Sequence, residues 1–219
     1  MLEYNIELLK GVDGSFEEEF NKQAKLVEFK KGDNLFLDGQ LLENFYFVIS
    51  GKVKSYQLNL DNAREQTIFI YRKGDMFDTI ILLDGKSHDV MYEVLEDATL
   101  AQVPLEKVRE WIETNSIFNQ KFFPYLASQM RHVEELATDL SLYDTSHRLI
   151  KLLLQSLDPE NIQKYNLIHS LSHSEIAKLI GSVRQVVERH LKKLKLSGII
   201  ETNKKHIDIK QINRLIEKL

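Results

Sequence analysis

The chain has 219 residues and no cysteine. That excludes disulfides, thiol redox sensing, cysteine-ligated iron–sulfur clusters and the Cys–His zinc patterns. It has no apolar run of about 18 residues, the length that a membrane span needs. Residues Met1–Lys10 carry Glu3 and Glu7 and lack a signal-peptide pattern, so a cytoplasmic protein with no membrane partner is expected. Also missing are a glycine-rich phosphate loop, a His-Glu-x-x-His pair and a nucleophile elbow. With no paired acid and base and no metal cluster, no enzyme and no metal site are expected. The formal charge of −4 excludes a general polyanion binder.

What is present is concentrated in residues 171–197. Leu171 to Gly181 reads as a short helix ending in a glycine turn, and Ser182 to Leu194 reads as a second helix. Ser172 is a natural N-cap, with Glu175 three residues on to complete a capping box. Ile176, Ala177, Leu179 and Ile180 form the buried side of the first helix, and Ala177 lets the helices approach closely. Gly181 supplies a turn conformation that costs other residues more. Val183, Val187, Leu191 and Leu194 recur at helical spacing and are expected to be buried. This leaves Arg184, Gln185, Glu188 and Arg189 on the outer face. Those residue types suit base reading: Arg grips guanine bidentately, Gln pairs with adenine and Glu accepts from cytosine. Ser172, His173, Lys192, Lys204 and Lys205 are candidate phosphate contacts.

The following residues add a hairpin. Leu196–Thr202 and Lys205–Ile209 alternate like two strands joined through Asn203-Lys204, and Gly198 ends the second helix. Helix, turn, helix and hairpin together make a winged helix-turn-helix. Residues 184–210 hold eight basic and three acidic side chains, a local +5 on an acidic chain. Such a stripe is the footprint of phosphate contact.

From about Leu26 to Val103, short strands punctuated by glycine indicate a sandwich or roll. The segment Asn44–Leu58 reads as two strands hinged at Gly51, and Met91–Leu95 and Thr99–Val103 as two more. After Pro104, a short helix with Trp111 toward the core precedes a long helix over Ser116–Leu142. Along it Phe123, Leu126, Met130, Val133, Ala137 and Leu140 recur at threes and fours, a heptad seam suited to a parallel dimer. A dimer also fits DNA reading, since two half-sites lie one helical turn apart, about 34 Å. Asp144 marks a hinge and caps a further helix to about Leu157, with Leu149, Ile150, Leu152, Leu153 and Leu154 buried.

This order resembles the cyclic-AMP receptor protein / fumarate-nitrate regulator (CRP/FNR) family of bacterial transcription factors. The resemblance covers nearly the whole chain. It is carried by Ser172–Gly198, Phe47-x-x-x-Gly51-x-Val53, Lys73-Gly74-Asp75-Met76-Phe77, and Leu142-Tyr143-Asp144 with Arg148. It implies an α+β fold: an N-terminal cyclic-nucleotide-binding-like β-roll (1–114), a dimerisation helix and hinge (115–143), and a C-terminal winged helix-turn-helix (144–219). It further implies a homodimeric regulator binding double-stranded DNA with two half-sites. Arg184, Gln185 and Arg189 fall where the family reads its half-site, whereas Glu188 stands where members usually have a small residue.

The effector region departs from the cyclic-nucleotide pattern. Where those binders carry Gly-Glu and Arg-Ser, this chain has Asp78 to Asp89 with no arginine, and Asp89 would oppose an anion. Val133 and Glu134 replace the hydroxyl pair that meets the base. Cyclic AMP is therefore not the expected effector. The haem-containing carbon monoxide sensor of the family shares the Gly74–Phe77 run, but its ligand positions are here Asp78 and Ile80. A different haem mode, as in the nitric oxide-responsive branch, would have to use His88 or His132. The effector-pocket candidates are Phe77, Asp78, Ile80, His88 and His132. A regulator with no effector, acting by abundance with Ile80–Leu83 filling its own pocket, is the other alternative. The loop Asp61–Glu65 is either a solvated turn or a contact for RNA polymerase.

Overall fold

The computed structural model describes residues 14–35, 39–155, 157, 171–203 and 206–219; the side chains of residues 14, 15, 203 and 206 lie outside it as well. Contacts divide the chain into two compact units, Met1–Gln57 with Thr67–Val133, and Leu58–Gln66 with Glu134–Leu219.

The first unit is built on an antiparallel sheet. Helix α1 (Gly14–Gln23) leads into β1 (Lys25–Phe29) and β2 (Asn34–Leu35), then α2 (Gln40–Glu43), β3 (Asn44–Asn59), β4 (Arg64–Tyr71), β5 (Met76–Phe77), α3 (Thr79–Asp84) and β6 (Met91–Pro104). The strands are ordered β1-β6-β3-β4, with β2 on β6 and β5 on β3. Helices α4 (Leu105–Thr114) and α5 (Ser116–Leu142) follow.

Aromatic rings dominate the core. Phe16 and Phe20 of α1 meet Trp111 and Phe47 edge-on at 5.0 and 5.1 Å. Phe118 and Phe122 of α5 are buried in the same cluster.

Two pairs of strands read as separate in the sequence are each one strand. β3 runs unbroken through Gly51, and β6 runs unbroken from Met91 to Pro104. Gly51 makes a bulge instead of a turn: it has φ +84°, and the β3–β6 register shifts between Val48 and Val53. A Cβ at Gly51 would lie 2.3 Å from the Asp97 carbonyl oxygen and 2.5 Å from Ala98 Cα. Gly51→Ala therefore combines left-handed strain with a backbone clash, and should cost about 3 kcal/mol or more. Urea unfolding followed by Trp111 fluorescence checks this; an unchanged midpoint would show that the bulge tolerates a side chain.

Helix α5 has the bounds expected from the sequence. It carries two apolar stripes. Phe118 and Phe122 face the core of the first unit, and Leu126 packs against that core too, so Leu126 leaves the expected seam. Phe123, Met130, Val133, Ala137 and Leu140 are exposed. The short helices α2 and α3 were not anticipated. In α3, Ile81 and Leu82 are buried whereas Ile80 and Leu83 are half-exposed, so only half of the Ile80–Leu83 run fills the interior.

The second unit holds α6 (Thr145–Gln155), α7 (His173–Leu179), α8 (Arg184–Leu196), β7 (Ile200–Asn203), β8 (His206–Ile209) and α9 (Ile212–Ile216). Asp144 caps α6 as expected, accepting from the His147 amide at 2.8 Å. Leu149, Ile150 and Leu153 are buried, while Leu152 and Leu154 are only partly so. They pack with Ile176, Val187, Leu191 and Leu215 in one core.

Candidate nucleic-acid interface and sensor interior

The helix-turn-helix is assembled from local signals. Ser172 Oγ accepts from the Glu175 amide at 3.2 Å and starts α7. Ile176 and Ala177 are buried. The Ser182 amide donates to the Ala177 carbonyl at 2.8 Å and closes the turn, with Gly181 at φ +62°. Val183 is the N-cap of α8 and is 46% exposed, contrary to the buried role expected from its spacing. A residue with extended backbone just before a helix does not share the face of the residue four positions on. Val187, Leu191 and Leu194 do form the buried stripe.

Arg184, Gln185 and Arg189 are exposed near the N-terminal end of α8, where the helix dipole also favours an anionic partner. Glu188 joins them differently. Its carboxylate accepts from Arg184 Nε at 2.7 Å and lies 3.6 Å from His173 Nδ1. The Arg184 hydrogen bond, with a smaller contribution from His173, holds its carboxyl below the usual glutamate range. One candidate phosphate contact and one candidate base reader thus meet on Glu188. Lys192 is exposed further along the helix.

Strands β7 and β8 pair antiparallel as the expected wing, with Ile200 opposite Ile209 and Asn203 opposite His206. Ile200 and Ile207 anchor it in the core. Lys204 and Lys205 lie outside the described residues. Gly198, at φ +69°, donates its amide to the Lys195 carbonyl at 3.0 Å and ends α8.

The sensor candidates gather only in part. Asp78 is buried and spends its carboxylate on three partners. Oδ1 accepts from the Ile80 amide at 2.9 Å, capping α3. Oδ2 accepts from the Tyr92 hydroxyl at 2.8 Å and also contacts His88 Nε2. Burial, with Tyr71 and Asp78 adding to it, pushes the Tyr92 phenol far above its usual range, so it stays a donor. Phe77 stacks between Tyr46 and Tyr92, at 5.9 and 5.5 Å, and meets Tyr71 at 4.9 Å. Tyr71 touches Phe69, and Phe69 lies 4.9 Å from the ring of His132 on α5. His132 Nε2 faces the Ile68 carbonyl at 2.8 Å. Phe77, Asp78 and His88 therefore share one cluster. Ile80 points outward, and His132 stands at the far end of a chain of rings. Tyr46, Tyr71 and Tyr92 were missed in the sequence, where nothing sets them apart from the other apolar strand residues.

Among the described residues no group of three or more His, Cys, Asp or Glu side chains is placed to hold a metal ion. No described helix is long and apolar enough to cross a membrane.

A β-roll followed by a long helix and a winged helix-turn-helix defines a DNA-binding transcription regulator. Two family models match the chain: the cyclic nucleotide-binding domain over residues 26–115 and the Crp-like helix-turn-helix domain over residues 147–218. The chain belongs to the CRP/FNR family of transcription regulators. It is 26% identical over 214 residues to the CRP-like cAMP-activated global transcriptional regulator of Mycobacterium tuberculosis, covering 96% of this chain and 95% of that one. It is 27% identical to the global nitrogen regulator of Synechococcus elongatus, covering 84% and 85%. Among solved structures, a CooA mutant from Carboxydothermus hydrogenoformans superposes with a TM-score of 0.77 at 22% identity, covering 97% and 94%. FixK2 from Bradyrhizobium japonicum gives 0.74 at 22% identity, covering 89% and 96%. Both of these sequence relatives, from Mycobacterium tuberculosis and Synechococcus elongatus, are regulators.

Proposed function

We propose that this regulator is a homodimer that reads a two-fold symmetric DNA site and does not respond to cyclic AMP. The observation that carries the DNA reading is the exposed Arg184, Gln185 and Arg189 at the start of a helix seated by Val187, Leu191 and Leu194. The exposed stripe Phe123, Met130, Val133, Ala137 and Leu140 supports pairing through α5, because a solvated apolar seam on a long helix is stabilised by a matching helix.

The effector reading rests on charge. A cyclic phosphate needs a cation, and the charged group bonded to the ring cluster, through the Tyr92 hydroxyl, is the carboxylate Asp78. Haem is disfavoured by the same geometry: the Nε2 atoms of His88 and His132 already face Asp78 and the Ile68 carbonyl. The stacked rings Tyr46, Phe77, Tyr92 and Tyr71 favour a second reading, in which the interior is self-filled and the protein acts by abundance. Contact with RNA polymerase through Asp61–Glu65 is compatible with either reading: Glu65 pairs with Lys178, and Asp61–Arg64 are exposed.

Fluorescence anisotropy on a labelled duplex between 50 and 300 mM salt tests the DNA reading. A protein neutralising about six phosphates should show a log–log slope near −5. A flat salt response would instead identify the winged helix as a protein-contact module. Cyclic AMP in millimolar excess should leave both the affinity and the melting temperature unchanged; tighter DNA binding with cyclic AMP would overturn the effector reading.

A further inference from the structure

The segment Leu58–Gln66 belongs to the same compact unit as Glu134–Leu219. Three consecutive residues of it hold the helix-turn-helix turn. Arg64 Nη2 donates to the Gly181 carbonyl at 2.8 Å. Gln66 Nε2 donates to the Leu179 carbonyl at 3.1 Å. Glu65 Oε2 pairs with Lys178 Nζ at 2.8 Å, and Lys178 also pairs with Glu175 at 3.1 Å.

The chemistry of these contacts follows from helix ends. The last carbonyls of α7 have no partner within the helix, and a cation near that end is favoured by the dipole. Gln66 therefore caps the last carbonyl of α7, and Arg64 holds the turn two residues beyond it, both from more than a hundred residues away. The supporting loop is itself fixed: Asn59 Oδ1 accepts from the Asp61 amide at 2.9 Å, and Asn62 Oδ1 accepts from the Arg64 amide at 3.0 Å. At Gly181 a Cβ would fall 2.5 Å from Leu140 Cδ2 and 2.9 Å from Gln66 Oε1, so the turn is closed in from two sides.

We infer that Arg64, Glu65 and Gln66 are positioning residues for DNA binding. They fix the turn that sets where α8 begins, three residues before Arg184, without touching bases themselves. This rests on the DNA-binding reading, because a small displacement there moves every base reader together.

The test uses the full-length protein carrying Arg64→Ala with Gln66→Ala, and separately Glu65→Lys, which sets like charges against Lys178. Hydrogen exchange without DNA should speed up about 5- to 10-fold at the amides of residues 180–187, as expected for lost capping bonds. Affinity for the cognate duplex should fall by a similar factor and affinity for a scrambled duplex by less, because only the cognate site is read through its bases, with the salt slope unchanged. Wild-type exchange in both variants, or tighter DNA binding, would overturn the inference. The exchange readout needs no DNA, so it separates failure of this inference from failure of the DNA reading.

Discussion

Replacing Arg184 and Arg189 together with alanine is expected to remove roughly 2–6 kcal/mol of discrimination per half-site between the cognate site and a scrambled one, taking about 1–3 kcal/mol for each bidentate contact. Non-specific binding should survive, because candidate phosphate contacts such as the exposed Lys192 are left in place, and such contacts hold a protein on a duplex without reading it. Arg184 has to reach the base past its contact with Glu188. That contact is an exposed pair one helical turn apart, the kind that contributes least to stability, so an arginine–guanine contact outcompetes it. Competition anisotropy with both duplexes measures the ratio. A double variant that keeps the wild-type ratio would remove α8 as the reading helix.

The second large effect concerns the seam. Met130→Glu with Val133→Glu should turn a dimer into a monomer, because each carboxylate would be desolvated against apolar partners. Both residues are exposed in the single chain, at 61% and 45%, so the fold itself should tolerate the change. Losing the second DNA-binding domain removes the avidity of paired half-sites, and affinity should fall by about 10²- to 10⁴-fold. Sedimentation velocity and anisotropy on the same samples provide the check. A monomeric variant with full affinity, or a variant still dimeric, would show that α5 is not the pairing element.

Much of this architecture is legible in the sequence because its signals are local and periodic. The bounds of α5 follow from its apolar spacing. The helix-turn-helix follows from Ser172, Gly181 and Gly198, each a residue with one strongly preferred backbone role. Gly51 shows the limit of that reasoning: a glycine between apolar runs marks a turn or a bulge equally well, and only the partner strand decides. Helices α2 and α3 are too short to display a period. Val183 has the spacing of a buried residue but precedes the helix.

The sites divide in the same way. Arg184, Gln185 and Arg189 lie on the helix face that periodicity assigns to them. The links from Arg64 and Gln66 to Gly181 and Leu179 join segments far apart in the chain, and nothing in either segment marks the other. Asp78 reads as a candidate for the effector pocket, and only the placement of Tyr92 and His88 shows what makes a buried carboxylate tolerable there. Leu126 fits the heptad as well as Met130 does; the roll side of α5 claims it because Phe118 and Phe122 continue the same stripe.

The central claim is that a two-fold dimer reads two half-sites through α8. In vitro selection from randomised duplexes by the full-length protein, with the stoichiometry of the selected complex measured by sedimentation, tests it most directly. The account predicts enrichment of an inverted repeat with half-site centres about 34 Å apart, bound by two chains. Enrichment of a single unrepeated motif bound by one chain, or no enrichment, would contradict it.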